Sequence, residues 1–596
     1  MPLDRISSGH TLPAALLAAC LLLPGCSTPQ AASNPEPVVV SEEAAPQAPP
    51  ATRPFPTNTL YELLAAEFAG IRNQIEPALE VYINQAHETR DPAVIERAVR
   101  IASFVGQPEL VLELSELWVE VEPENLDVRR LVAFHLARAG RVIEAFPHAE
   151  YLLLAGDDNH LQALAAFASD ATEDEKQRLL VLYEELALNY GDRTGLMLGR
   201  AMLLRQVDRL DDSLAFAQKV VKKAPDNETG QLLNAQILHQ MEHTDKAIKA
   251  LEKALGTDPQ SKRLRLQYAR FLAEKDLALS REQMLILAEQ HPEDPDMLFS
   301  LALASQELGM TDEAEKLYRA LIDRHQRSGD AHFQLGRIAE EKGLNARALD
   351  HYRLVDSGQS MLAATVRITD ILASQGDIDA ARKHLDMLRN DQPANAASYY
   401  QIEAELLMRD GQLDTAYDLL STALEQQPDN TSLLYSRSVV SLRQENIATS
   451  EDDLRAILAL EPDNATALNA LGYTLTTIPG RYQEAFELIV RAYELEPENP
   501  AIIDSLGWVH YRLGNLAKAI DYLRQAYEAF PDPEVAAHLG EVLWVSGAHD
   551  DARKIWAESL DQNPDNPLVI EAMERLTGSI GSTDRQQQPD DSNRDP

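Results

Sequence analysis

Residues 501–531, AIIDSLGWVHYRLGNLAKAIDYLRQAYEAFP, carry the pattern that decides the fold of this chain. Apolar residues recur three and four positions apart, which is the spacing of one buried helix face. Gly514 interrupts the pattern and Pro531 ends it, so the stretch predicts two helices joined by a turn. Ala519 supplies the small side chain that is needed where the second helix crosses the first closely.

The same pattern returns along most of the 596-residue chain. A small residue recurs every 33 to 35 positions, at Ser213, Ala247, Ser280, Ala314, Ala348, Ala381, Ala416, Ser450, Ala485, Ala519 and Ala552. Prolines follow twelve residues behind most of them, at Pro225, Pro259, Pro292, Pro393, Pro428, Pro462, Pro497, Pro531 and Pro564. A fixed period of this length is the sequence signature of a repeat architecture.

These features resemble the tetratricopeptide repeat (TPR). Within residues 501–531, Leu506 and Gly507 match the large-small pair of the first helix in that family, and Ala519 and Ala526 match the small positions of the second helix. The resemblance implies an all-α superhelical solenoid of antiparallel helix pairs. At least eleven repeats can be read, including neighbouring copies with the pairs Leu471-Gly472 and Leu539-Gly540.

The predicted domain organisation has five parts: a signal peptide at 1–25, a Pro/Ala-rich disordered tether at 26–58, divergent helical repeats at 59–200, clear repeats at 201–576 and a disordered tail at 577–596. The formal net charge of −41 argues against nucleic acid and against anionic lipid headgroups as direct partners.

The first 26 residues predict a membrane anchor. The apolar run from Thr11 to Leu23 has the length of a signal-peptide core and is too short to span a bilayer. Leu23-Pro24-Gly25-Cys26 resembles the lipobox of bacterial lipoproteins, in which the cysteine thiol is acylated and the chain is cut before it. The resemblance implies lipidation at Cys26, with palmitate among the acyl chains. In that family an Asp directly after the cysteine favours retention in the inner membrane. Ser27 stands at this position, so the resemblance also implies the periplasmic face of the outer membrane.

The sequence offers no pattern for catalysis or for a cofactor. It contains no HExxH, GxSxG, GxGxxG or CxxC, and no phosphate-binding GxxxxGK(S/T) loop. His148, His239 and His325 each lack a second metal ligand at a suitable spacing. We therefore predict a protein that is not an enzyme and binds neither metal nor cofactor.

A stacked solenoid instead provides an extended binding groove. In TPR proteins, positions 2, 5, 9, 12 and 13 of each first helix line that groove. Carrying those positions over selects Tyr435, Arg443, Tyr473, Trp508, Tyr511, Arg512 and Trp544 as candidate protein-binding residues. Tyr, Trp and Arg are the residue types that most often dominate binding energy. The alternative is that some of these rings fill gaps between repeats.

Two stretches resemble a narrower family. Residues 91–125, DPAVIERAVRIASFVGQPELVLELSELWVEVEPEN, and the pair LNALGYTL and DSLGWVHYRLG within 468–514 resemble the outer-membrane TPR lipoproteins of proteobacteria. That family includes adaptors of the periplasmic carboxy-terminal processing protease. The resemblance implies an adaptor that binds this protease and promotes degradation of hydrolases that cut peptidoglycan cross-links. The alternative is a TPR scaffold for exopolysaccharide secretion or type IV pilus assembly.

Overall fold

The computed structural model describes residues 56, 58–191 and 193–578. Within this part of the chain the fold is an all-α TPR solenoid without strands. The predicted signal peptide, the acylation site Cys26, nearly all of the tether and the tail beyond residue 578 lie outside the described residues. None of the described helices is long and apolar enough to cross a membrane.

The described residues form 31 α-helices and two short 3₁₀ turns, at Ala168–Asp170 and Pro393–Asn395. The helices are α1 Thr59–Ile71, α2 Ile75–Thr89, α3 Pro92–Val105, α4 Pro108–Val121, α5 Leu126–Arg138, α6 Val142–Leu154, α7 Asn159–Phe167, α8 Glu173–Tyr190, α9 Thr194–Gln206, α10 Leu210–Lys223, α11 Glu228–Gln240, α12 Thr244–Thr257, α13 Lys262–Ala273, α14 Leu277–Gln290, α15 Pro295–Glu307, α16 Thr311–Asp323, α17 Ser328–Glu341, α18 Asn345–Tyr352, α19 Ser360–Ser374, α20 Ile378–Asp391, α21 Ala396–Arg409, α22 Leu413–Gln426, α23 Thr431–Arg443, α24 Ile447–Leu460, α25 Ala465–Leu475, α26 Tyr482–Leu495, α27 Pro500–Arg512, α28 Leu516–Ala529, α29 Pro533–Val545, α30 His549–Gln562 and α31 Pro567–Thr577.

The chain divides into two compact units. The N-terminal unit ends at Arg327 and contains α1 to α16, and the C-terminal unit begins at Ser328 and contains α17 to α31. Within each unit a helix packs on the next helix in the chain, except that α7 packs mainly on α6 and α9 rather than on α8. The first helices of neighbouring repeats also touch, as in α9 with α11 and α11 with α13, and in α25 with α27 and α27 with α29. We call the surface that they form the first-helix face of each unit.

The periodic small residues lie where helices cross. All eleven members of the series, from Ser213 to Ala552, are buried in the second helix of a pair. On the opposite helix, a Cβ added at Gly507 would stand 2.7 Å from the Leu523 side chain, so the two helices approach too closely for a larger residue. The prediction of a close helix crossing at this period is confirmed.

The Pro-Asp-Asn turns between repeats begin the next first helix. The side chains of Asn227, Asn430 and Asn464 accept hydrogen bonds from backbone N–H groups in the first turns of α11, α23 and α25. Such a cap satisfies a donor that the helix itself cannot pair. The proline two residues earlier cannot continue the preceding helix, so each turn ends one helix and starts another.

The N-terminal helices have a weaker sequence pattern, and their consecutive pairing is interrupted at α7 and α8. The predicted boundary between divergent and clear repeats, at residue 200, falls inside α9. The same two neighbouring helices also differ most in length, since α7 has 9 residues and α8 has 18. Unequal helices explain why no constant spacing can be read in this part of the sequence.

Candidate functional site

The candidate residues chosen from the sequence lie on first helices of the C-terminal unit, close to their C-terminal ends or at their middle. Six of the seven are half-buried, and Arg443 is exposed: the half-buried ones are Tyr435, Tyr473, Trp508, Tyr511, Arg512 and Trp544. Half-burial leaves part of each of these six residues accessible to solvent. Whether a partner uses the accessible part stays a prediction.

Trp508 is the centre of an aromatic cluster on the first-helix face. Its ring stacks on the His538 imidazole of α29, with 4.2 Å between ring centroids, and lies 5.1 Å from the Tyr511 ring. Tyr473 of α25 reaches the same imidazole, with its hydroxyl 3.2 Å from His538 Nε2. Three consecutive repeats thus contribute to one cluster.

His538 also contacts the charged groups of this cluster. Its Nδ1 lies 3.0 Å from a carboxylate oxygen of Asp504, and both side chains are buried. The Tyr473 hydroxyl donates a hydrogen bond to Glu534 at 3.0 Å. His538 Nε2 must therefore donate its own hydrogen bond to the tyrosine oxygen. Asp504 can only accept. Both ring nitrogens therefore donate, which is the hydrogen-bonding pattern of a charged imidazolium.

The charges around the ring agree with this protonation state. Burial alone would lower the pKa of His538, but the charge and hydrogen bond of Asp504, with Glu534 and Glu541 nearby, raise it above its ordinary value. Burial, together with the charges of Glu534 and Asp504, raises the pKa of Tyr473 well above its ordinary value. The raised pKa therefore agrees with the hydrogen-bonding pattern of an imidazolium held among Asp504, Glu534 and Glu541.

A second bridge extends the cluster towards the last helix. The Tyr511 hydroxyl donates to Glu541 at 3.0 Å, and the Arg575 guanidinium of α31 forms an ion pair with the same carboxylate. Burial and Glu541 raise the pKa of Tyr511, and the hydrogen bond to Glu541 raises the pKa of Arg575. Glu541 itself is buried, so its charge is compensated from two sides.

Tyr435 and Tyr473 line a small cavity of about 40 Å³ next to this cluster. Asn469 also lines it, and the side-chain carbonyl of Asn469 is buried without a hydrogen-bond partner in the described residues. Arg443 is not among the lining residues. The sequence therefore placed the two tyrosines in one site but not the arginine.

Arg512 and Trp544 are occupied by contacts inside the protein. Arg512 donates to the Tyr482 hydroxyl at 2.8 Å, and its guanidinium stands 4.9 Å from the centroid of that ring. The Trp544 ring stacks on His549 at 4.3 Å and packs against the core of the last repeats. Both residues help to join helices, so the gap-filling alternative applies to them at least in part.

The sequence reading missed the charged members of the cluster. Asp504, Glu534 and Glu541 occupy positions 5, 2 and 9 of their repeats, which are groove positions of the family. A selection by Tyr, Trp and Arg alone does not find them, although their positions in the repeat do. His538 lies at position 6 and carried no such signal. Rings beside carboxylates suit apolar or basic side chains of a partner.

A different surface lies at the start of the N-terminal unit. Tyr61, Leu64, Phe68 and Ile71 follow one another at spacings of three and four on α1 and are 51% to 79% exposed. The carboxylates of α1 point the other way, since Glu67, for example, accepts hydrogen bonds from α2 and α3. The outer side of α1 is therefore an apolar stripe, which we call the α1 stripe.

Metal chemistry finds no support in the described residues. Nowhere in them do three His, Cys, Asp or Glu side chains come together in a way that could hold a metal ion. The C-terminal cluster offers a preformed surface of rings and carboxylates, and the α1 stripe offers apolar area that is exposed among the described residues.

Comparison with known proteins shows strong similarity to one bacterial relative. The chain is 42% identical over 544 residues to a TPR repeat-containing protein of Pseudomonas aeruginosa, covering 90% of this chain and 91% of that protein. Two family models described as tetratricopeptide repeat match it, one at residues 299–360, 440–500 and 505–567 and the other at 233–261.

Two more distant similarities cover a smaller part of this chain. The cellulose synthase operon protein C of Pseudomonas fluorescens is 24% identical over 307 residues, which span 48% of this chain and 23% of that protein. Among solved structures, a TPR protein of Thermus thermophilus aligns with 22% identity and a TM-score of 0.28, covering 31% of this chain and 98% of its own. A TM-score of that size supports no comparison of overall arrangement.

Proposed function

This chain belongs to the tetratricopeptide-repeat protein family, and on that premise we propose that it is a non-enzymatic adaptor of the bacterial periplasm. In this proposal it binds a carboxy-terminal processing protease together with hydrolases that cut peptidoglycan cross-links, and so promotes degradation of the hydrolases. Acylation at Cys26 anchors it to the periplasmic face of the outer membrane. TPR proteins are scaffolds for protein–protein interaction. What the proposal adds is the identity of the partners.

The observation that carries the proposal is the cluster around Trp508 in the C-terminal unit. Its half-buried rings are held by intramolecular contacts, such as the stacking on His538, and so need little ordering when a partner arrives. Aromatic side chains at the centre of an interface commonly contribute several kcal/mol each, about 2 or more. A surface of this kind is suited to binding a protein.

An adaptor needs a second surface for its second partner. The α1 stripe provides exposed apolar area in the N-terminal unit, whereas the cluster belongs to the C-terminal unit. Terminal repeats of solenoids ordinarily present a polar outer side to water. An uncovered apolar stripe at this place favours a protein contact. Holding protease and substrate together raises the effective concentration of one at the other to the order of millimolar.

The direct test uses purified components: the unacylated chain, the processing protease and a cell-wall hydrolase from the same bacterium. We expect no cleavage by the chain alone and faster decay of the hydrolase when the chain is added to the protease. Leu64→Ser with Phe68→Ser should weaken one of the two protein contacts. Leu188→Ser, which alters a single apolar residue that is 87% exposed elsewhere in the N-terminal unit, is the matched control.

Equal decay of the hydrolase with and without the chain would favour the second candidate, a scaffold for an export machine. The 24% identity to the cellulose synthase operon protein C is the observation that favours exopolysaccharide secretion. In that case the chain should co-purify with components of an export apparatus from solubilised envelopes, and deletion of its gene should reduce secreted polysaccharide without changing hydrolase levels.

A further inference from the structure

Two half-buried arginines on the first-helix face of the N-terminal unit have no carboxylate partner among the described residues. Arg205 of α9 donates one hydrogen bond, to the amide oxygen of Gln236 in α11 at 2.8 Å. Arg270 of α13 has a buried Nε without any hydrogen-bond partner in the described part of the chain. Neither residue belongs to the C-terminal cluster or to the α1 stripe.

Carboxylates are plentiful in this protein, which has 95 acidic and 54 basic residues. Arg265 and Arg512 donate to amide, carbonyl or hydroxyl oxygens, but several half-buried arginines use carboxylates. Arg481, for example, pairs with Glu451 at 2.6 Å and with Glu484 at 2.8 Å. A desolvated charge without a counter-charge costs free energy unless a ligand supplies the missing partner. Burial also lowers the pKa of both Arg205 and Arg270.

The placement of the two arginines sets the spacing of a ligand. Helices α9, α11 and α13 are first helices of three consecutive repeats and touch in that order. Axes of packed helices are about 8–10 Å apart, so Arg205 and Arg270 are separated by roughly 16–20 Å. One small anion cannot bridge that distance. An extended chain covers it in about five or six residues at roughly 3.3 Å each.

The strip between the two arginines is polar and aromatic. Gln236 lies beside Arg205, and His239 of α11 stacks on Phe271 of α13 with 4.2 Å between ring centroids. Gln236 offers amide groups of the kind that pair with a peptide backbone. A carboxylate also approaches the strip, that of Glu274, 3.5 Å from His239 Nε2.

We propose that this strip binds an extended segment of a protein partner through two acidic side chains spaced five or six residues apart. Arg205 holds one carboxylate and Arg270 holds the other. The segment runs across α9, α11 and α13, and the strip selects it by charge and spacing. The inference goes beyond the proposed function, because any partner with such a segment would satisfy it.

The test uses fluorescein-labelled peptides of fourteen residues in a Gly/Ser/Ala background at 150 mM salt. The first carries two glutamates six positions apart, the second has glutamines in their place, and the third has the glutamates adjacent. Fluorescence anisotropy with the full unacylated chain should show at least about tenfold tighter binding of the first peptide. Equal binding of the glutamine peptide, or no binding of any of the three, would overturn the proposal.

Variants of the protein locate the site. Arg205→Gln with Arg270→Gln should remove the preference for the first peptide. Arg263→Gln changes an exposed arginine of α13 that already pairs with Glu228, and should keep that preference. An unchanged preference in the double variant would place the binding elsewhere and refute the assignment.

Thermal stability separates a binding role from a structural one. If Arg270 is held ready for a ligand, Arg270→Gln leaves the melting temperature unchanged or raises it, because a desolvated unpaired charge is removed. Arg481→Gln breaks two ion pairs and should lower it. A fall for Arg270→Gln as large as that for Arg481→Gln would show that the residue serves the fold, and would contradict the proposal.

Discussion

The buried pair of His538 and Asp504 gives the C-terminal cluster a pH dependence that can be measured. The change to make is His538→Gln, which keeps much of the side-chain volume and removes the imidazolium. Asp504 would then remain buried, with no cation at 3.0 Å to compensate it. Because Trp508 stacks on the same ring, the loss should loosen α27 and α29 together.

The size of the effect follows from the environment of the pair. Removing one partner of a buried ion pair typically costs about 3–5 kcal/mol. Glu534 and the groove side of the cluster are only partly buried, so we expect the lower end, about 3 kcal/mol. Adding Asp504→Asn to His538→Gln removes the stranded charge as well. The double variant should therefore recover a large part of the loss.

The sign of the pH dependence follows from the raised pKa of His538. The folded state holds the proton more tightly than the unfolded state, in which the pKa is about 6.5. The stabilisation is thus complete below about pH 6.5 and is lost as the pH rises through the folded-state value. His510, also in α27, provides the control, because burial lowers its pKa and its contribution is lost as the pH falls.

Hydrogen exchange followed by mass spectrometry suits this test, because opening free energies of single helices can be read within a solenoid. After correction for base-catalysed intrinsic exchange, amides of α27 and α29 in the wild-type chain should show a lower opening free energy at pH 9 than at pH 6. That difference should vanish in His538→Gln and persist in His510→Gln. A wild-type pH dependence that survives His538→Gln, or its absence in the wild type, would refute the assignment of a charged imidazolium.

Three further predictions address the groove, the fold and the anchor. Trp508→Ala with Tyr511→Ala should weaken partner binding by about 2–4 kcal/mol, measured by titration calorimetry, with a smaller change in melting temperature. If the rings serve packing only, stability falls and affinity is unchanged once folding is restored. Gly540→Ala would place a Cβ 2.0 Å from a buried tryptophan ring and should destabilise by about 1–3 kcal/mol in denaturant unfolding. Gly256→Ala, where the added Cβ meets nothing within 4 Å, should be neutral or stabilising by up to about 1 kcal/mol. Cys26→Ser should leave a soluble or uncleaved precursor, and palmitate labelling of that variant in the outer membrane would contradict the lipobox assignment.

The repeat could be read from the sequence because one steric requirement recurs in every copy. A helix crossing as close as that of Gly507 on Leu523 tolerates only small residues, and these return each time the hairpin does. In the N-terminal repeats the helices differ in length, as α7 and α8 do, so the same requirement appears at irregular intervals. Periodicity therefore predicted the fold where the repeats are uniform, and left the register open where they are not.

The candidate site could be predicted only in part, for a different reason. Position within a repeat indicates which side of the helix a residue occupies, and this placed Tyr473, Trp508 and Tyr511 on the same face. It does not indicate which residues of neighbouring repeats meet. The pairing of Asp504 with His538, 34 residues apart, depends on how two first helices pack and is visible only in the structure.

The contacts of the cluster connect its two possible roles. Trp508 and Tyr511 are both fixed by side chains of α29, through His538 and Glu541. Fixing a ring removes rotamer freedom that binding would otherwise have to remove, at about 0.5–1.5 kcal/mol for each side chain. The interactions that stabilise the repeat are therefore the ones that prepare its surface for a partner. For this reason affinity and stability must be measured on the same variants, because a change in either one alone would not distinguish a binding residue from a packing residue.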